Sequence, residues 1–341
     1  MRVGNLPQTV WKRSILKQLN KNRDGAQEKF LFRPSIEECC TAMRVSETDA
    51  VITAAASVSG DSVCTGTYGI IRAVNDLRLR GAEAAGVSIS LTLPETVEEV
   101  QIKEMISCME EISEELQAAI MQINAEVNPA VCRAMVHATA YGVIHANKDG
   151  FSIPGAGGAA AGQDLVLCGY TGLEGTLRIL DEREEELGQR FVPAFLRQMK
   201  EKKKFLIFPD IGDMAERYNI TAVHQVQSGG IFAALWELAE ASGIGMHVEL
   251  PKMNICQETV EVCEFYRLNP YLMTSAGCAL LASSDGNALV DALEAVGARA
   301  TRLGVATAGN ARVITSGEEE RYLDRPAQDE LMRWYSEQMR S

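Results

Sequence analysis

Residues 223–283 read VHQVQSGGIFAALWELAEASGIGMHVELPKMNICQETVEVCEFYRLNPYLMTSAGCALLAS. A short apolar run ends at His224, the chain breaks at Gly229 and Gly230, and Ile231, Leu235 and Leu238 then recur at helical spacing over about 229–242. GIGMHVEL follows as a strand, a helix is predicted near 257–267, and a strand pattern returns at 277–283. Strands alternating with helices indicate an α/β-layered (α+β) fold. The free N–H groups of a helix beginning at Gly229 and Gly230 suit an anion, but the same pair also simply permits a tight strand-to-helix turn. His224 is a candidate catalytic group, although a lone His of this kind is more often a hydrogen-bonded structural residue.

Working outward, residues 147–164 (NKDGFSIPGAGGAAAGQD) place four Gly within eight residues from Gly155, a linker composition that divides the chain into domains 1–150 and 151–341. Before it, helices are predicted over Val10–Leu19 and Tyr68–Arg80, a half-buried strand in AGVSISLTL, where Val87, Ile89, Leu91 and Leu93 alternate with polar residues, and a strand near 131–144. Between Pro94 and Gln117 there are eight Glu and one Lys, with Val97, Val100, Met105, Ile112 and Leu116 at helical spacing. This acidic helix is a solvated face or a docking face for a partner. After the linker, DLVLCG is a buried strand leading into a helix that begins at TGLEGT, and further helices are predicted at 190–203, 286–296 and 327–339, with a strand at 301–308.

A net charge of −13 argues against non-specific nucleic-acid binding. No run approaches the roughly 18–20 apolar residues of a membrane helix, and no signal peptide is read, so a cytoplasmic location is expected. The nine cysteines are scattered without a C-x-x-C pair, which favours reduced thiols over a zinc site or a disulfide framework.

The order and spacing of the 223–283 segment resemble the carboxy-terminal domain of AIR-synthase-related proteins, whose His-Asp-(Val/Ala)-(Thr/Ser)-Glu-Gly-Gly opening falls on His224, Gln225, Val226, Gln227, Ser228, Gly229 and Gly230. AVNDLRLRGAEAAGV is similar to the family's Asn-Asp segment through Asn75, Asp76 and Gly81, and the chain as a whole is most similar to the hydrogenase expression/formation branch. The resemblance implies a two-domain fold, with amino-terminal domains pairing into a dimeric β-barrel and a carboxy-terminal α/β sandwich. It also implies ATP with magnesium bound through acidic residues at the paired domains.

Magnesium prefers oxygen ligands. The implied cofactor-binding set is Glu38, Asn75, Asp76, Gly229 and Gly230, with Glu38 and Asp76 on the metal and His224 as a candidate catalytic group. The departures fall in the ligand segments. Ala56 stands where the family has Asp; Gln122, Ile123, Asn124 and Ala125 stand where it has a Gly-Gly turn; Gln225 and Ser228 replace an Asp and a Glu. A neutral Gln supplies no carboxylate charge beside a metal. The carbamoyl-dehydratase members use a carboxy-terminal Cys, whereas the last Cys here is Cys278, so that activity is not expected. Two functional readings remain: a catalytically reduced homologue that binds a ligand or protein partner as a homodimer, and an active ATP-dependent synthase or dehydratase with an altered site.

Overall fold

The computed structural model describes residues 3–19, 29–32, 35–148 and 150–339. A helical segment opens the described chain: α1 (Gln8–Trp11), a π turn over Lys12–Leu16, and α2 (Lys17–Leu19). The first half then forms β1 (Cys40–Arg44), β2 (Asp49–Gly60), α3 (Thr65–Arg78), β3 (Glu83–Leu93), α4 (Glu99–Leu116), β4 (Ala119–Val127) and β5 (Ala134–His145). Its sheet has the order β1-β2-β5-β3-β4, antiparallel except for the β3–β4 pair.

One face of this sheet is covered. Ile52, Ala54, Val58, Ile89, Leu91, Val136 and Ala138 alternate inward and meet Tyr68, Ile70, Val74 and Leu77 of α3 in a common core. The opposite face carries the exposed Ser57, Met135 and His137. On α4 the buried positions are Met105, Met109, Ser113 and Leu116, while Val100 is exposed. Val100 therefore does not belong to the apolar stripe in which the spacing placed it. The helix starts with a reciprocal Glu98–Gln101 capping box and ends at Gln117 in the left-handed region.

The second half forms β6 (Asp164–Cys168), α5 (Leu173–Arg190), α6 (Pro193–Glu201), α7 (Gly212–Arg217), β7 (Ile220–Gln225), α8 (Gly230–Ser242), β8 (Gly245–Glu249), α9 (Gln257–Tyr266), β9 (Ala279–Ser283), α10 (Gly286–Ala295), β10 (Ala300–Thr307), β11 (Arg312–Ser316), β12 (Glu319–Tyr322) and α11 (Glu330–Gln338). Its seven strands take the order β12-β11-β8-β10-β6-β9-β7. Both faces are covered, which is why DLVLCG reads as a continuous apolar run. Leu165 and Leu167 pack with Leu235 and Leu238 of α8, whereas Val166 and Cys168 pack with Leu289 and Leu293 of α10. The expected carboxy-terminal α/β sandwich is therefore present.

The two sheets lie on either side of the Gly-rich segment and are joined by one core. Leu173, Leu177 and Leu180 of α5 and Leu331 and Trp334 of α11 belong to the same cluster as the first sheet. Asn75 reinforces the junction from within α3. Its amide donates to the Leu206 carbonyl at 2.7 Å and its carbonyl accepts the Phe208 amide at 2.9 Å. Among the described residues, no helix is long and apolar enough to cross a membrane.

Candidate functional site

Helical spacing of four puts Arg72, Asp76 and Arg80 on one side of α3 and its first residues beyond the end. Glu38, just before β1, reaches the same place. Its Oε1 lies 2.6 Å from Arg80 Nη2 and also accepts the Cys40 amide, while its Oε2 accepts the Ala156 amide at 3.0 Å. Asp76 Oδ1 stands 3.7 Å from Arg80 Nη1, and Oδ2 accepts from Gln227 Nε2 at 2.9 Å. The Arg80 and Asp76 side chains are each 1% exposed and that of Glu38 is 8% exposed. Burial pushes the Asp76 carboxyl above its ordinary value, and the Arg80 charge offsets this only in part.

The two carboxylates predicted as metal ligands therefore converge, but they converge on a guanidinium. Among the described residues, no group of three or more His, Cys, Asp and Glu side chains is arranged to hold a metal ion. As placed, Glu38 and Asp76 fit Arg80, not a divalent cation.

Beside this triad a cleft of about 280 Å³ opens between the halves, lined by Ala56, Ser57 and Ser59 of β2, Arg72, Gln227, Ser228, Thr274 and Asp329, among others. Its back wall is a buried charge cluster around Glu174, which is fully buried. Glu174 Oε1 lies 2.5 Å from Arg72 Nη2 and 3.2 Å from Arg178 Nη1. Its Oε2 accepts from Arg72 Nε, the Thr274 hydroxyl and the Ala276 amide. Burial alone would raise the Glu174 carboxyl, but Arg72 and Arg178 beside it and these hydrogen bonds hold it below its ordinary value.

At the amino end of α8, the anion position is filled from within the chain. Asp329, the N-cap of α11, accepts the Leu331 amide through Oδ1 and the Gly229 amide through Oδ2 at 2.8 Å. Gly229 and Gly230 are both in the left-handed region, with φ of 90° and 66°. A Cβ on Gly230 would sit 2.4 Å from the Tyr271 carbonyl oxygen. Gly230→Ala is expected to cost about 2–4 kcal/mol, from positive-φ strain plus a backbone clash, read as a lower urea midpoint at unchanged slope. A loss below ~1 kcal/mol would show that the turn relaxes freely.

The remaining predicted residues separate. His224 pairs through Nε2 with Glu237 Oε2 at 2.8 Å. Its neighbour Gln225 donates to the Arg72 carbonyl. Gln122, Ile123, Asn124 and Ala125 lie exposed on β4, separated from β2 by β5 and β3. The sequence reading missed Arg72, Arg80, Glu174, Arg178 and Asp329. Its available signal was charge embedded in apolar or small-residue runs, as in IIRAVNDLRLR and TGLEGT.

Residues 160–316 match the AIR synthase related protein, C-terminal domain. Over that stretch the chain is similar to AIR synthase-related proteins. A Methanocaldococcus jannaschii protein bearing a hydrogenase expression/formation name is 25% identical over 220 residues, which is 64% of this chain and 61% of that protein. The chain thus matches less than two thirds of that relative's length. Among solved structures, HypE in the HypE–HypF complex superposes with a TM-score of 0.69 at 15% identity, covering 92% of this chain and all of that one. HypE of E. coli gives a TM-score of 0.66 at 18% identity, with coverage of 84% and 91%. ThiL complexed with AMPPCP and TMP gives 0.68 at 17% identity, with coverage of 94% and 96%. At these identities the structural likenesses establish the AIR-synthase-like fold across both halves. Within it, His224 to Gly230 form the β7–α8 junction, where this chain sets Gln227 against Asp76 and Gly229 against Asp329.

Proposed function

We propose that this chain is a hydrogenase-maturation-type AIR synthase-related protein with weakened or lost magnesium–ATP chemistry, acting as a binding or accessory component. The observation that carries this reading is Arg80, whose guanidinium stands between Glu38 and Asp76. A fixed positive charge there competes with a divalent cation for the same oxygens. The carboxylate of Asp329 on the Gly229 amide supports the same reading, because it takes up a donor that a phosphate would use. The second reading, an active ATP-dependent synthase or dehydratase with an altered site, draws on likeness over nearly the whole chain to HypE in complex with ATP and to ThiL with AMPPCP.

Isothermal titration with ATP and AMPPCP, with and without magnesium, separates the two. The proposed function expects no magnesium-dependent heat at high protein concentration. Micromolar magnesium-dependent binding would overturn it in favour of the active enzyme.

The proposed working unit is a homodimer of cytoplasmic chains, divided into domains 1–150 and 151–341 and joined through the first domain. The open face of the first sheet, with Ser57 and His137 2.8 Å apart, and the exposed Met121, Ile123 and Val127 of β4 are the surfaces that would pair into a barrel. The HypE–HypF complex is the precedent for a protein partner. Light scattering at micromolar concentration tests the dimer, and a monomer mass would remove it from the proposal.

A further inference from the structure

Cys64 is the N-cap of α3, and Cys108 lies on α4. Their Sγ atoms are 3.7 Å apart. The approach has a cause in the packing: Gly66 has no side chain, and Met109 fills the space, its sulfur 2.3 Å from where a Cβ would stand. The same contact brings Cys108 over the amino end of α3. Both cysteines are half-buried, as is Cys39, while Cys40, Cys168, Cys256, Cys263 and Cys278 are buried and Cys132 is exposed.

We propose that Cys64 and Cys108 form a reversible internal disulfide, made by exchange with a low-molecular-weight disulfide of the oxidised-glutathione class. The sulfurs need to close to about 2.05 Å, and a 3.7 Å start on two packed helices makes this a small displacement. Burial, with Asp181 nearby, pushes the Cys64 thiol up to about 12, so Cys108 is the entry point. Its thiolate attacks one sulfur of the small disulfide, forming a mixed disulfide and releasing one thiolate. Cys64, losing its proton, then attacks the Cys108 sulfur and releases the second. Two protons and two electrons leave the protein pair, and two molecules of small thiol are produced. Lys203 assists the second step: its ammonium is held 2.9 Å from Asp181 and offsets part of the burial that disfavours the Cys64 thiolate. The bond ties the helix that carries Arg72 and Asp76 to α4, and it does not depend on whether the cleft binds a nucleotide.

The test is incubation of the full chain with oxidised glutathione, alkylation of free thiols with iodoacetamide, and peptide mapping without reduction. The expected result is a cross-linked peptide pair containing Cys64 and Cys108, no glutathione left on Cys108, reversal by dithiothreitol, and a thermal midpoint several degrees above the reduced chain. In Cys64→Ser, which lacks the resolving thiol, glutathione stays on Cys108 and the midpoint gain disappears. Alkylation of both cysteines after treatment, or glutathione persisting on Cys108 of the unmodified sequence, would overturn the proposal.

Discussion

Glu174→Ala lowers the free energy of unfolding by about 3–5 kcal/mol, the range found when one partner of a buried ion pair is removed. The side chain is fully buried and accepts from Arg72, Arg178, the Thr274 hydroxyl and the Ala276 amide. Alanine leaves all four donors without that acceptor. The Arg72 and Arg178 side chains are only 9% and 3% exposed, so water replaces the lost carboxylate poorly. Arg178 keeps its bond to the Ser59 carbonyl, which sets the loss toward the lower end of the range. Glu174→Gln, which retains an acceptor oxygen, loses less.

The pH dependence has a definite sign. Because the folded Glu174 pKa is depressed, its contribution is fully present above the unfolded value of about 4.3 and disappears as pH falls through the folded value. The difference between native chain and Glu174→Ala in urea therefore holds at neutral pH and shrinks in acid below about pH 4. A neutral-pH loss under ~1 kcal/mol would mean that the two arginines find other partners.

Much of the architecture was legible in the sequence, because it rests on local periodicity. Helices at 68–80, 229–242 and 257–267 and the alternating strand through Val87 to Leu93 follow from apolar spacing alone, and each is present within a few residues. β2 was not read as a strand. Its run AVITAAASVSG is dominated by small residues, whose inward–outward alternation is weak as a hydropathy signal. The edge strand β4 was hidden for a related reason: eight of its nine residues are exposed, so no buried face marks it.

At the candidate site, the family resemblance picked out Glu38, Asp76 and Gly229, but it could not supply their partners. Arg80 lies 42 residues from Glu38, and Asp329 lies 100 residues from Gly229. Contacts at that separation are set by tertiary packing within each half, which no local pattern encodes. Asn75 makes the same point in reverse. Its motif implied a nucleotide contact, while its amide is committed to the 206–208 backbone.

Arg80→Met leaves Glu38 and Asp76 buried and facing each other without a cation, at an expected loss of about 3–5 kcal/mol. The methionine fills much of the arginine stem, so the loss reports the charge more than a cavity. Asp76 already has a raised pKa from burial, offset in part by Arg80; without the guanidinium that carboxyl rises further above its unfolded value. A raised folded pKa means that the folded state binds more protons, so the penalty stands in full above that pKa and is relieved as pH falls through it. Acidification from pH 7 to about 5 should thus recover part of the variant's deficit while the native chain gains less. Asp76→Asn is the control. It removes one buried charge, leaves the 2.6 Å Arg80–Glu38 pair in place, and is expected to change stability by less than ~1 kcal/mol. With the guanidinium gone, the two carboxylates offer oxygen to a hard cation, and millimolar magnesium is expected to raise the thermal midpoint of Arg80→Met but not of the native chain. Equal magnesium responses in the two proteins would show that Arg80 does not occupy a cation position, and the case for weakened magnesium–ATP chemistry would lose its principal support.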